Sequence, residues 1–215
     1  MRPSFHWLLC LAATFFLSRP SWATEDIQLV FVGDVMLADT PGKLIRAGKD
    51  PLRYFAAELR NADLTIGNLE CVISSKGKPI DKPYTFRAPN RALPLLKKYF
   101  SAVSVANNHT GDFGKPAFTD MLASLSRHDI PYFGGGRHLR DAHQPFIREI
   151  KGKRIGILGY NGFFPRSFEA LEDSSGSAWL DEDFVDASGV WAGDFCNSFV
   201  GFDIADDRSG LNDVA

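Results

Sequence analysis

The sequence predicts an α/β domain with a largely parallel or mixed sheet. Apolar stretches of strand length alternate with amphipathic helical stretches up to about residue 135, and a hairpin pattern follows over 146–159. With 215 residues, 45% of them hydrophobic, the chain is long enough for one domain with a substantial core. The formal net charge of -2 and the lack of a basic stripe argue against a nucleic-acid-binding function.

Apolar, β-branched stretches predict the strands of the sheet. They run over 27–32, 64–66 and 103–106, and a shorter one over 130–133 ends at three consecutive glycines. The first is apolar enough to predict burial on both faces. The glycine run, 134–136, fits a turn better than a phosphate-binding loop, because no complete phosphate-loop pattern surrounds it.

Helical periodicity between the strands places apolar side chains on one face of each helix. We interpret these stripes as core packing without catalytic chemistry. The predicted core positions are Leu52, Phe55, Ala56 and Leu59; Leu93, Leu96 and Phe100; and Phe118, Met121, Leu122 and Leu125.

The two ends of the chain differ from the domain between them. Residues 1–23 have a basic start, a short apolar run and a small-x-small exit, which predict a cleaved signal peptide; a retained membrane anchor is the alternative. The domain is then predicted over 24–185, and 186–215 is a divergent tail, either poorly ordered or not original to this domain. Export would permit a disulfide between Cys71 and Cys196, although a buried, apolar role for Cys71 is the simpler interpretation.

Polar side chains follow three successive predicted strands. Because ligands of open α/β sheets bind where strands end, these side chains are candidates for one site. Carboxylate and amide oxygens suit hard divalent ions, and Mn, Fe and Zn also accept imidazole. Each residue alone is explained as well by capping a turn or helix. The candidates are Asp34, then Asn68 and Glu70, then Asn107, Asn108, His109 and Asp112.

A long loop rich in Gly, Pro and Lys separates the second strand from the next helix. It spans 74–83, which includes Lys82, and leads to the stretch 84–89, which carries Arg87 and two aromatic residues. Such loops often cover a site, and the two cations could steady an anionic substrate. A solvated connector with an exposed Arg87 is the open alternative.

Four motifs in this order resemble the CapA family of bacterial capsule or poly-γ-glutamate synthesis proteins. They are the segments 33–37, 68–70, 82–89 and 106–114, and weaker similarity continues through 134–137, 155–160 and 178–181. The resemblance covers roughly residues 27 to 185. It implies a calcineurin-like metallophosphoesterase fold, a layered α/β sandwich with two metal ions, Mn, Fe or Zn, at strand ends.

The resemblance also implies a role for each site residue. Asp34 would be a ligand of the first metal, Glu70 the bridging carboxylate and Asn108 a ligand of the second metal. His109 would be the catalytic acid. Asn68 and Asn107 would support these groups.

Two departures from the superfamily pattern indicate an incomplete site. Met36 stands where metallophosphoesterases have a histidine ligand, and a thioether is a poor donor for hard metals. The histidine motifs expected after residue 181 are missing; the histidines after His109 are His128, His138 and His143. We therefore expect a truncated or frameshifted product with weak metal binding and little or no hydrolase activity.

The functional expectation is an exported protein of the periplasm or cell surface, acting on an anionic polymer or a phosphoester-type substrate. An uncleaved leader would keep it at the membrane. The alternatives are a non-enzymatic component of a capsule synthesis and export complex, or an inactive gene remnant.

Overall fold

The computed structural model describes residues 26–163 and 166–180, and the backbone of 198–205. The predicted leader and Cys196 lie outside these residues. None of the helices in the described ranges has the length and apolar character needed to cross a membrane.

A four-stranded parallel sheet forms the centre of the domain. Its order is β1-β2-β3-β4, and neighbouring strands are parallel throughout, which confirms the predicted α/β class. Asp34 pairs with Asn68, and Asn68 with Ser104, so the carboxyl ends of the first three strands meet at one edge. The strands are β1 (Leu29–Asp34), β2 (Leu64–Asn68), β3 (Ala102–Ser104) and β4 (Tyr132–Phe133).

The prediction that the first strand is buried on both faces is wrong. In the described part of the chain β1 is an edge strand that pairs with β2 alone, and Phe31 is 42% exposed. β2, which has a neighbour on each side, is buried at all five positions. A run of apolar residues does not distinguish these two environments, because strand order is decided by long-range pairing.

Helices cover one face of this sheet. The predicted inward stripes of α3 and α4 are confirmed, since their seven apolar positions are at most 6% exposed. The free Cys71 is also buried, as expected. The helices are α1 (Asp39–Arg46), α2 (Ala56–Asn61), α3 (Leu93–Tyr99), α4 (Gly114–Arg127) and the short α5 (Leu139–Ala142).

The stripe predicted before α2 is wrong at one position. Leu59 is buried, but Phe55 is 60% exposed. The segment Arg53–Phe55 is a 3₁₀ turn rather than the start of the α-helix. Because a 3₁₀ turn has three residues per turn, it rotates Phe55 away from the face that an uninterrupted α-helix would present.

A second, antiparallel sheet packs against the other face. The predicted hairpin is confirmed, and its turn residues Lys151 and Gly152 have φ of 50° and 74°, as a two-residue hairpin turn requires. Within the segment predicted as a divergent tail, the backbone of 198–205 forms a strand that pairs with β7. The sheet contains β6 (Phe146–Ile150), β7 (Lys153–Asn161) and β9 (Ser198–Ala205), and β5 (Gly135–Gly136) pairs with β8 (Gly176–Ser177).

The two main sheets share a core. Leu64, Ile66 and Phe133 of the parallel sheet pack against Ile155 and Ile157 of β7. A larger core fills the space between the parallel sheet and its helices. The resulting layers, helices then parallel sheet then antiparallel sheet, are consistent with the metallophosphoesterase-like sandwich and place the three polar strand ends at one rim.

Candidate functional site

One amide nitrogen joins the first two strand ends. Nδ2 of Asn68 lies 2.9 Å from Oδ1 of Asp34 and 2.6 Å from Oε2 of Glu70. Asp34 is exposed, whereas Asn68 and Glu70 are buried. The parallel register and the bulge of β1 near Asp34 bring the two carboxylates to this shared donor.

Asn107 attaches the third strand end to the same cluster. Its Nδ2 donates to Oδ1 of Asn68 at 2.9 Å and to the Leu69 carbonyl at 3.0 Å. Its Oδ1 accepts from the His109 backbone N–H at 3.0 Å and from the Thr110 hydroxyl at 3.2 Å. With 1% of its surface exposed and its side chain bonded on both sides, Asn107 orders the turn that carries His109.

His109 lies between two carboxylates. Its Nδ1 is 2.8 Å from Oδ2 of Asp112, and its Nε2 is 3.9 Å from Oε1 of Glu70. The ring of Phe86 packs on the imidazole with 4.3 Å between centroids. These contacts hold the imidazole with one nitrogen on the buried acid and the other toward the Asp34–Glu70 pair.

Asp112 connects this turn to the covering loop, which we define as residues 74–89. Oδ2 of Asp112 accepts from the Phe86 N–H at 2.6 Å, and the Asp112 carbonyl accepts from the Ile80 N–H at 2.9 Å. Lys82 Nζ lies 2.5 Å from Oδ1 of Asp112, an ion pair rather than an aligned hydrogen bond, and donates to the Asn108 carbonyl at 2.9 Å. The loop thus packs directly over the turn.

Electrostatic crowding is concentrated at Glu70. The pKa of Glu70 is raised to about 7, mainly by burial and then by the charges of Asp34 and Asp112, while His109 and the Asn68 hydrogen bond act in the opposite direction. A buried carboxylate next to another carboxylate favours its neutral form unless a positive charge compensates it.

The structure therefore brings most of the predicted site residues into one hydrogen-bonded network: Asp34, Asn68, Glu70, Asn107, His109, Asp112 and Lys82. Lys82 forms an ion pair with the buried Asp112. This pairing fits a role in supporting the site better than a role as a cation that is free to contact substrate. Asn108 lies in the same turn, and its side chain makes no hydrogen bond within the described part of the chain. Arg87 contacts other groups: its Nη2 donates to the carbonyls of Lys76 and Gly77.

The donor set can be compared with the requirements of a metal ion. Asp34, Glu70 and Asn108 offer the oxygens that hard divalent ions prefer, and His109 offers a nitrogen. Met36 packs against the core instead of supplying a donor. Over 26–163, 166–180 and 198–205, no group of three or more His, Cys, Asp or Glu residues is arranged to hold a metal ion. Among the described residues, these donors suit part of a metal site.

Two residues of the network were not predicted as site residues. Phe86 stacks on His109, and Thr110 donates its hydroxyl to the Val105 carbonyl at 2.5 Å. The aromatic content of the covering loop was a signal for Phe86. No sequence signal distinguished Thr110 from an ordinary turn residue.

Comparison with known proteins identifies relatives. A family model described as bacterial capsule synthesis protein PGA_cap matches residues 28–188. The chain is 25% identical over 168 residues to the capsule biosynthesis protein CapA of Bacillus anthracis, covering 75% of this chain and 41% of that protein. It is 25% identical over 162 residues to the PGA biosynthesis protein CapA of Bacillus subtilis, covering 73% and 43%.

A third relative is a probable polyglutamine synthesis accessory protein of Mycobacterium tuberculosis, 32% identical over 127 residues, which are 56% of this chain and 33% of that protein. The chain spans less than half the length of these relatives. The matched region includes all four motifs that carry the resemblance, and the family model covers most of the chain. The chain belongs to the bacterial capsule synthesis protein family PGA_cap.

Proposed function

We propose that the chain takes part in the synthesis, attachment or trimming of an anionic surface polymer of the capsule or poly-γ-glutamate type. The family match and the names of the two Bacillus relatives, a capsule biosynthesis protein and a PGA biosynthesis protein, support this role. The leader-like residues 1–23 support export to the periplasm or cell surface, with membrane association if the leader is retained.

The proposed chemistry is metal-assisted hydrolysis or transfer on the polymer or on a phosphoester-type substrate. Asp34, Glu70 and Asn108 would hold a divalent cation, Mn, Fe or Zn, which would act as a Lewis acid toward a substrate oxygen. His109 would donate a proton from Nε2 to the leaving oxygen, since its Nδ1 is held by Asp112.

One observation carries this proposal: Asp34 and Glu70 share the Asn68 amide, and Glu70 lies 3.9 Å from His109. A pair of carboxylates beside an oriented imidazole is the minimum that such chemistry needs. The incomplete donor set leads us to propose weak binding of a single ion, and little or no turnover by this chain alone.

A second candidate is a non-enzymatic component of a capsule synthesis and export complex at the membrane. The lack of a full metal-binding group among the described residues favours it. In that case the polar rim would bind ligand or a partner without turnover.

The test is calorimetric titration of Mn²⁺ and Zn²⁺ into the metal-free full chain. We expect weak binding of one ion, lost in Glu70→Gln and in Asp34→Asn, and retained in Asp141→Asn, which removes a surface carboxylate paired with Arg137. Equal binding by the wild type and Glu70→Gln would refute the metal site. Tight binding of two ions would refute its incompleteness. Turnover of a phosphoester or of the polymer that depends on His109 would decide for the enzyme over the assembly component.

A further inference from the structure

We propose that an arginine groove beside the covering loop binds a chain of repeated carboxylates. The arginine groove is an open depression lined by Arg46, Arg87 and Arg91, together with Ser75 and Asn90, and has a volume of about 490 Å³. The identity of the ligand as an acidic polymer rests on the proposed function. The groove itself lies apart from the Asp34–Glu70 pair, none of whose residues lines it.

The three guanidinium groups carry uncompensated positive charge. The ion pairs of the described residues include none made by Arg46, Arg87 or Arg91. Arg46 and Arg91 are exposed, and Nη1 of Arg91 donates to the Arg46 carbonyl at 2.9 Å, which keeps the two residues adjacent. Like charges gathered around one concave surface attract anions and repel one another until an anion binds.

Arg87 is the fixed member of the set. Its guanidinium lies 3.9 Å from the centroid of the Phe113 ring, and its Nη2 bonds two backbone carbonyls. Its Nε is buried and has no hydrogen-bond partner in the described structure. A buried N–H is out of a ligand's reach, so Arg87 contributes its positive charge to the groove, while its contacts with Phe113 and the two carbonyls hold it in place.

The covering loop links the groove to the polar site. Val72 pairs with the extended segment 86–88: its N–H donates to the Phe86 carbonyl at 2.9 Å, and its carbonyl accepts from the Ala88 N–H at 3.0 Å. Adjacent side chains of an extended segment point to opposite sides. Phe86 packs on His109, and Arg87 lines the groove. The segment 86–88 therefore borders the polar site through Phe86 on one side and the groove through Arg87 on the other.

The chemistry favours a polycarboxylate as the occupant. The exposed guanidinium groups of Arg46 and Arg91 can bind carboxylates through charge-assisted hydrogen bonds, and three cationic groups at separate backbone positions match a ligand that repeats its charge along a chain. Polyphosphate offers the same type of charge, and the experiment separates the two.

The experiment measures fluorescence anisotropy of a labelled poly-γ-glutamate oligomer titrated with the full chain. The groove variant carries Arg46→Gln and Arg91→Gln. The control variant carries Arg60→Gln and Arg140→Gln, which replace two exposed arginines outside the groove and so lower the net charge by the same amount. We expect the groove variant to bind about tenfold more weakly and the control to bind within about twofold of the wild type, because two exposed ion pairs contribute this much. Circular dichroism confirms that both variants fold.

The inference is overturned if the wild type does not bind the oligomer, or if both double variants weaken binding equally, which would indicate general attraction. It is also overturned if tripolyphosphate binds through the groove and the oligomer does not. The metal titration separates this inference from the proposed function. If Glu70→Gln loses metal binding but still binds the oligomer, the groove is supported independently of the metal site. If the groove variant binds metal as the wild type does, the two sites are independent.

Discussion

The Nδ1 atom of His109 lies 2.8 Å from Oδ2 of Asp112, a carboxylate with no exposed surface. A buried acid on one imidazole nitrogen fixes the orientation of the ring and directs the other nitrogen, Nε2, toward Glu70. The same acid binds Lys82 and the Phe86 backbone, so one side chain both orients His109 and holds the covering loop.

Asp112→Asn should lower the free energy of unfolding by about 3 kcal/mol, because it leaves the Lys82 ammonium without its anion next to a buried network. Lys82 keeps 22% of its side chain exposed, which limits the cost. Urea unfolding followed by circular dichroism measures the change. The control Asp141→Asn breaks a surface pair and should cost less than about 1 kcal/mol. Equal losses in both variants would contradict a special role for Asp112.

Glu70 should make the metal-free chain less stable as pH rises. Its pKa in the folded state is about 7, raised from 4.5 mainly by burial, so the fold binds this proton more tightly than the unfolded chain does. The resulting stability is fully present below about pH 4.5 and is lost as pH rises through about 7, by up to about 3 kcal/mol. Glu70→Gln should therefore be more stable than the wild type at pH 8, and the difference should shrink toward pH 4.5.

Urea unfolding in the presence of a chelator, at pH 5 and at pH 8, checks this pH dependence. Glu58→Gln, on the exposed side of α2, serves as the control and should follow the wild type at both values. A wild type and a Glu70→Gln variant with parallel pH profiles would show that Glu70 is not the responsible group.

Gly77→Ala should destabilise the covering loop more than a matched substitution elsewhere. Gly77 and Gly48 have φ of 69° and 75°, so alanine is strained at both positions by about 1 kcal/mol. A Cβ at Gly77 would lie 1.9 Å from the Phe113 carbonyl oxygen, whereas a Cβ at Gly48 meets nothing within 4 Å. We expect Gly77→Ala to cost at least about 2 kcal/mol more in thermal unfolding, since the loop must shift. Similar costs for the two would mean that the loop is not packed on Phe113.

Phe118→Ala and Phe55→Ala should differ sharply although both residues were predicted core positions. Phe118 has no exposed surface, and its truncation should cost about 3–5 kcal/mol. Phe55 is 60% exposed, and its truncation should change stability by less than about 0.5 kcal/mol. Denaturant midpoints of the two variants measure this, and a large loss at Phe55 would argue for a partner that covers it.

The sequence pattern was most informative where a property is local. The stripes of α3 and α4 and the hairpin over 146–159 follow from periodicity and turn chemistry, and the structure confirms them. The pattern failed at Phe55, where a 3₁₀ turn replaced the helix, and at β1, where an apolar run became an edge strand. The edge position of β1 depends on pairing with a strand that is distant in sequence, whereas the 3₁₀ turn is a local departure from the α-helix.

The sequence by itself determined the α/β class, the helices α3 and α4, the hairpin, the family motifs and the types of polar residue at the strand ends, because short-range periodicity and composition encode them. Only the tertiary structure decided that Asp34 and Glu70 share the Asn68 amide, that Asp112 is buried under the covering loop, and that Arg46 meets Arg91 at one groove. Strand register and loop packing arise from hydrogen bonds and contacts between residues tens of positions apart. No local pattern specifies which of the many possible pairings has the lowest free energy.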